Sequence, residues 1–286
     1  MDTIRHGNVY MTITDLERKL PLYLTCVGRW YNQYPIDRKE GHTDYQWIQC
    51  TRGEGLLNIG GRTHTVGAGQ GMLLFPDEPH GYSAHVEPWE VRWLSFNGTQ
   101  AGDMLRSFEF GESRVVTLAN PDPLLKRMYE LISVAQSTDP LKSLQCSSIV
   151  YSLLIDLYRY GSNLEQRSKQ AYFDQMAPAL RYIEYHYHKP ITLGELAEML
   201  SVSPQHTCVL FQLTLGMRPF EYITGVRMRK AKELLLRQPD CDIAEVGRQS
   251  GYESASYFIK MFKQREGITP REFRRHFLDP KNKAGQ

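Results

Sequence analysis

Histidines, acids and cysteines are the residues here that could hold a metal or do acid–base work, and they do not assemble into a set. A catalytic metal wants three protein ligands and one open position. The sequence offers His42 with Asp44 two residues on, in Gly41-His42-Thr43-Asp44, and His80 after Pro76-Asp77-Glu78-Pro79. His64 and His85 fall in predicted loops. Two ligands and an aspartate fall short of a catalytic site, so no metal and no cofactor is expected, and His42 and His80 are read as ligand-contacting or structural. The five cysteines (Cys26, Cys50, Cys146, Cys208, Cys241) are scattered with no Cys-x-x-Cys pair, which argues against a zinc site or a disulfide framework.

A second kind of chemistry, recognition of nucleic acid, is written as a repeat. One copy starts at Thr192: T-L-G-E-L-A-E-M-L-S-V-S-P-Q-H-T-C-V-L-F-Q-L-T-L-G-M-R-P. The other starts at Asp242: D-I-A-E-V-G-R-Q-S-G-Y-E-S-A-S-Y-F-I-K-M-F-K-Q-R-E-G-I-T-P. Thr192, Leu193, Glu195 and Leu196 align with Asp242, Ile243, Glu245 and Val246; after one inserted residue, Ser203, Phe211, Gly216 and Pro219 align with Ser254, Phe262, Gly267 and Pro270. Thr192 with Glu195 forms a capping box, and Asp242 with Glu245 a similar arrangement. Each short helix breaks near Ser201 or Gly251. Ser203 and Ser254 then cap a second helix, with Pro204 at its first position, where a missing N–H costs nothing. Leu210, Phe211, Phe258 and Phe262 give those helices a buried side. Two short helices joined by a tight turn make a helix-turn-helix, whose second helix fits the major groove. Residues 220–237 read as one helix roughly 27 Å long, a spacer able to hold two reading helices about one DNA turn apart. A plain helical bundle with a coincidental duplication is the alternative, and the shared caps, Phe and Gly-x-x-Pro argue against it.

The surrounding chain must position these groups. Of its 286 residues 41% are hydrophobic and 23% charged, an ordinary globular balance, and the length suits two domains. Net charge is +2, with −3 on residues 1–167 and +5 on residues 168–286, so the basic part coincides with the repeat. No apolar run could span a membrane and no signal peptide opens the chain, so a cytoplasmic protein is expected. Residues 22–96 read as short strands, such as 45–50 and 71–75. Turn punctuation separates them: Arg52-Gly53-Glu54-Gly55, Gly60-Gly61, Gly67-Ala68-Gly69 and Pro76-Asp77-Glu78-Pro79. This spacing implies a small sandwich or barrel. Apolar residues then recur at helical spacing over 123–136 and 141–160.

At this point the residues resemble a known family. The run I-A-E-V-G-R-Q-S-G-Y-E-S-A-S-Y-F-I-K-M-F-K-Q-R-E-G-I-T-P-R-E-F-R-R is similar to the signature of AraC-type transcription regulators, a likeness that covers residues 179–275. More loosely, G-Q-G-M-L-L-F-P-D-E-P-H-G-Y followed by W-E-V-R-W-L-S-F-N-G resembles the cupin-type effector domain of sugar-responsive members. The resemblance implies two domains: an all-β cupin-like barrel with a helical pair, and an all-α double helix-turn-helix domain. Their order would be an arm (1–20), an effector-binding and dimerisation domain (21–161), a linker (162–176), a DNA-binding domain (177–278) and a tail (279–286). It further implies a homodimer that binds double-stranded DNA and a small effector such as a sugar, and that meets RNA polymerase if it activates.

By position, Gln205, Cys208, Val209 and Gln212 in the first reading helix would face DNA, and Ala255, Ser256, Ile259, Lys260, Lys263 and Arg265 in the second. The first departs from the family pattern, with no basic residue over 203–215. Gln205 can still pair with adenine and Val209 can pack on a thymine methyl. Arg38, Tyr82 and Trp93 match effector-pocket residues of the arabinose-responsive members, whereas Val91 stands where those carry a histidine. His42 and His80 complete the expected effector set. The alternative function is a metal-dependent cupin enzyme fused to a DNA-binding module.

Overall fold

The structure, a computed structural model, describes residues 8–162 and 169–278. The first seven residues of the arm, residues 163–168 of the expected linker and the tail lie outside the described residues. The chain divides into two compact units at Gln170/Ala171. No described helix is long and apolar enough to cross a membrane.

The first unit is a bent antiparallel sheet with helices on one face. Its strands are β1 (Val9–Tyr10), β2 (Tyr23–Trp30), β3 (Ile36–Arg38), β4 (Tyr45–Ile59), β5 (Arg62–Gly67), β6 (Gln70–Leu74), β7 (His80–Asn97), β8 (Arg114–Leu118) and β9 (Gly161–Ser162). They run in the order β1-β2-β7-β4-β6-β8-β9, with β3 on β7 and β5 on β4. The sequence reading of short strands needs correction here. Arg52-Gly53-Glu54-Gly55 is not a turn but the middle of β4, where register slips between Cys50 and Gly55 bend β4 and β7 together. Gly55 is needed at that bend because the Trp89 indole lies where its Cβ would be, 2.2 Å away. His64 and His85 sit on β5 and β7 rather than in loops.

Strand alternation gives the sheet two unlike faces. Ile48, Cys50, Met72, Leu74 and Val91 from one lobe join Leu57, Val66 and Tyr82 from the other in a single buried cluster, so the bend closes the inner face on itself. The outer face carries Val27, Trp47, Leu73, Leu94 and Phe96. It is covered by the helices α3 (Asp122–Gln136) and α4 (Lys142–Tyr160), which bury Leu124, Met128, Leu131, Val150, Leu153 and Leu157 there. The short helices α1 (Asp15–Arg18) and α2 (Ala101–Ser107) precede them. The arm, which the sequence left without an assignment, is docked: β1 pairs with β2, Val9 opposite Val27. Thr14 and Glu17 then close a capping box on α1.

The second unit is all helix: α5 (Lys169–His186), α6 (Leu193–Met199), α7 (Pro204–Leu215), α8 (Pro219–Arg237), α9 (Ile243–Gln249), α10 (Ala255–Glu266) and α11 (Pro270–Leu278). The last part of the expected linker, residues 169–176, is the start of α5 instead. Met176, Ala179 and Ile183 are fully buried at helical spacing, a stripe masked in sequence by Lys169, Gln170, Asp174 and Gln175.

The caps form as read at three of four sites. Thr192 and Glu195 make the reciprocal box, Ser203 accepts from the His206 N–H, and Ser254 from the Tyr257 N–H. The fourth differs. Asp242 accepts from the nearer Ala244 N–H, and Glu245 turns to Gln249 and Arg248.

Two separate hydrophobic cores result. One gathers Met176, Ile183, Leu196, Leu210 and Phe211, the other Val246, Tyr252, Phe258, Phe262 and Phe273. α8 gives Ile223 and Val226 to the first, and Met228, Ala231 and Leu235 to the second. The two second helices, α7 and α10, therefore share no core.

Candidate nucleic-acid interface and ligand cleft

On α7 Gln205, Val209 and Gln212 are exposed and fall at i, i+4 and i+7 on one side of the helix, with Cys208 half-buried beside them; His206 and Leu213 are exposed too. The opposite side holds Thr207, Leu210, Phe211 and Thr214 in the core. On α10 the corresponding stripe is Ser256, Ile259, Lys260 and Lys263, all exposed, while Ala255 is half-buried at the first turn. Arg265 departs from this grouping. It follows the buried Phe258 and Phe262 by helical spacing, and its guanidinium leans over α8, 3.4 Å from where a Cβ on Gly225 would stand. Each helix begins with a serine cap and ends at a left-handed glycine, Gly216 or Gly267. Each thus presents a rigid face of about three turns. The faces differ in chemistry: α7 shows amide and aliphatic groups, α10 two ammonium groups as well.

In the first unit, strand register decides which of the expected ligand residues meet. Arg38 lies opposite His80, and Ile36 opposite Tyr82, across the β3–β7 ladder. Ile59 and Leu57 stand opposite the same two residues on β4. Arg38, His80 and Tyr82 accordingly line one open cleft of about 760 Å³, together with Asn58, Ser83 and the Gly60-Gly61 turn. His42 and Trp93 are not among its lining residues. His42 is in the loop between β3 and β4, where its Nδ1 accepts the Asp44 N–H at 3.1 Å. Trp93 is half-buried elsewhere on the same inner face, opposite Ile48 and Gly28.

A chain of polar groups runs inward from Arg38. Arg38 donates to Gln46 Oε1, and Gln46 Nε2 donates to Ser95 Oγ at 2.9 Å, two residues from Trp93. Gln46 and Ser95 are both buried, as is the Asn8 Oδ1 atom. Gly28 lies beneath Asn8 and Trp93; a Cβ there would be 2.3 Å from Asn8 Oδ1 and 2.8 Å from the indole. Gln46, Ser95 and Asn8 were not foreseen from the sequence. A lone polar residue in a strand carries no local signal of facing inward, because only the register settles its face.

His80 is 3% exposed, and its Nδ1 lies 2.8 Å from the Glu78 carbonyl. A carbonyl can only accept, so Nδ1 carries the proton and the neutral ring offers Nε2 as an acceptor. That atom is buried without a partner, as are Trp93 Nε1 and Asn8 Oδ1. The inner face therefore holds unmet donors and acceptors among aromatic side chains, which suits a polyhydroxylated molecule. Burial, and then the nearby Arg38 charge, hold the His42 imidazole below its usual range; burial does the same for His80.

The sign of the resulting pH effect follows. The unfolded chain takes up these protons first, so the first unit should lose stability as pH falls below the ordinary imidazole value of about 6.5. Melting at pH 7.5 and pH 5.5 is expected to show a drop on acidification that shrinks in His80→Asn. An unchanged drop in that variant would remove His80 as its source. Among the described residues, no three of His, Cys, Asp and Glu gather closely enough to hold a metal ion.

Comparisons with known proteins match both units. Residues 22–154 fit the family model described as an AraC-like ligand binding domain, and residues 196–276 the one described as a helix-turn-helix domain. The lactose operon transcription activator of Staphylococcus xylosus is 28% identical over 231 residues, covering 79% of this chain and 82% of that one. The arabinose operon regulatory protein of Salmonella typhimurium is 26% identical over 254 residues, covering 85% and 88%. Among solved structures, the C-terminal domain of AraT, a response regulator from Geobacillus stearothermophilus, is 34% identical. That match covers 35% of this chain and 84% of the other, with a TM-score of 0.34.

Proposed function

The chain belongs to the AraC-type family of transcription regulators, and we propose that it is an effector-responsive activator of carbohydrate-utilisation genes that works as a homodimer. With the family, the enzyme alternative falls: this is a DNA-binding regulator. The observation that carries the reading is the pair of independently cored helix-turn-helix units, each with its second helix capped, ordered and exposed along one side.

In this reading the second helix-turn-helix anchors the protein. Lys260 meets a base edge and Lys263 a phosphate, and this half supplies most of the salt dependence. The first helix-turn-helix reads bases with neutral groups, Gln205 on adenine and Val209 on a thymine methyl. Arg38, His80 and Tyr82 at the cleft, together with Trp93 and the Gln46–Ser95 pair, take the effector. A sugar suits both the unmet hydrogen-bonding atoms and the names of the two relatives. His42 tunes the cleft from its loop. Dimerisation would use what α3 and α4 leave uncovered: Tyr129, Leu141, Leu144 and Tyr151 are exposed there. The effector acts by shifting an equilibrium between arrangements of the dimer on DNA, and RNA polymerase is the further partner of an activator.

Gel shifts on the DNA flanking the gene, at moderate salt with and without a panel of sugars, test the reading. A sequence-preferring complex whose affinity moves with one sugar is expected; indifference to both sequence and sugar would end it. Within such a complex, Lys260→Ala should cost about 1–3 kcal/mol and relax the preference at one base position. Lys263→Ala should instead lower the salt slope by about one with no change in preference. Equal losses on every sequence would reassign Lys260 to phosphate.

A further inference from the structure

The two copies of the repeat differ at their turns. Position 201 in the first is an exposed serine in the left-handed region (φ 53°), and the matching position 251 is a glycine at φ 87°. Space explains the difference. A Cβ on Gly251 would stand 2.4 Å from the Tyr187 carbonyl oxygen and 2.8 Å from Arg227 Nε. The turn of the second helix-turn-helix is thus seated on the segment between α5 and α6, which leads into the first helix-turn-helix, and Arg227 of α8 fills the junction.

Arg227 holds that junction from both sides. Its Nε donates to the Tyr187 carbonyl and its Nη2 to the Lys189 carbonyl, each at 2.8 Å. Its guanidinium lies 5.7 Å from the centre of the Tyr252 ring, which is buried in the second core. Other ties run from the same helix, Arg229 to Glu184 of α5 and Lys232 to Glu266 of α10. The first is an exposed ion pair of the kind worth little to stability, and the second joins two mobile side chains. Arg227 differs: it makes charge-assisted bonds to two backbone carbonyls, fixing main chain rather than a mobile side chain. A helix of 19 residues can twist and sway about its middle, and Arg227 lies near that middle.

We infer that Arg227 is a positioning residue for DNA recognition: it locks the second helix-turn-helix onto the first, so that the protein selects the spacing between its two DNA segments as well as their sequence. The inference rests on the DNA-binding reading above. Each base pair inserted between the segments moves one relative to the other by about 3.4 Å and some 35°. A locked pair of units must break contacts to follow, whereas an unlocked pair swivels.

The test uses the full chain. Purified protein first selects its binding sequence from randomised duplexes; base pairs are then inserted one at a time between the two protected segments. The wild type should lose at least tenfold in affinity on the first insertion. Arg227→Gln should lose less than threefold, while binding a duplex that carries only one segment as well as the wild type does. If Arg227→Gln proves unfolded by circular dichroism, Arg227→Lys, with a single ammonium nitrogen in place of the planar fork, carries the same comparison. The inference is overturned by a wild type indifferent to spacing, or by a variant that keeps the full insertion penalty. It is also overturned by a variant weakened as much on single-segment as on two-segment DNA, which is the mark of a merely structural role. If the wild type selects no sequence at all, the DNA-binding reading fails first and takes this one with it.

Discussion

Gly251→Ala is expected to destabilise the helical unit by about 2–5 kcal/mol: a left-handed backbone costs a residue with a Cβ about 1–2 kcal/mol, and overpacking typically adds 1–3. The crowding is severe because the nearest atom, 2.4 Å from the new methyl, is a backbone carbonyl oxygen rather than the end of a side chain. That oxygen is already fixed by Arg227, so it cannot give without loosening a second bond. Denaturant unfolding of the full chain, followed by helical circular dichroism, would register the change, since a domain holds only about 5–15 kcal/mol in total. Ser201→Ala is the control, at the same turn position in the other copy but exposed. A Gly251→Ala protein within about 0.5 kcal/mol of wild type, the scatter typical of surface changes, would mean the turn relaxes freely and the junction is not tight.

Phe258→Ala should cost about 3–5 kcal/mol. Its ring is fully buried, packs 5.4 Å from Tyr252 and 5.8 Å from Phe262, and presses on α9 at Gly247, where even a methyl would come within 2.9 Å. No neighbour can collapse into the space without abandoning another contact, so a cavity remains. The loss should be read first in DNA binding. Lys260 and Lys263 stay on the chain but lose the helix that aligns them, and the salt dependence of binding should fall with them. Binding with an undiminished salt slope would show that the phosphate contacts come from elsewhere.

The helical unit was legible in the sequence because its signals are local. A serine three residues before the N–H it caps, a proline at the first helical position and a glycine past the end are each set by chemistry within one turn. The exceptions have local causes too. Asp242 caps the nearer Ala244 amide, and Glu245 is taken up by Gln249 and Arg248 one turn on. The start of α5 was hidden because its apolar stripe is thin and its polar residues numerous. The sheet was less legible. Glycines at 53 and 55 read as a turn, yet they let one long strand bend and admit the Trp89 ring, a requirement set by a partner more than thirty positions away. The same holds for the cleft. Arg38, His80 and Tyr82 meet because three strands align in register, while Trp93, on the same strand as the latter two, lies beyond the bend.

Because α8 feeds both cores, its length is quantised. Each inserted residue would turn everything downstream by about 100° and advance it 1.5 Å, pulling Met228, Ala231 and Leu235 out of phase with the pocket they fill. Phase returns only near seven added residues, which would displace α10 by about 10.5 Å, roughly the rise of three base pairs. Descendants of this architecture could therefore acquire a longer reach along DNA in whole steps of about three base pairs, and not by gradual drift.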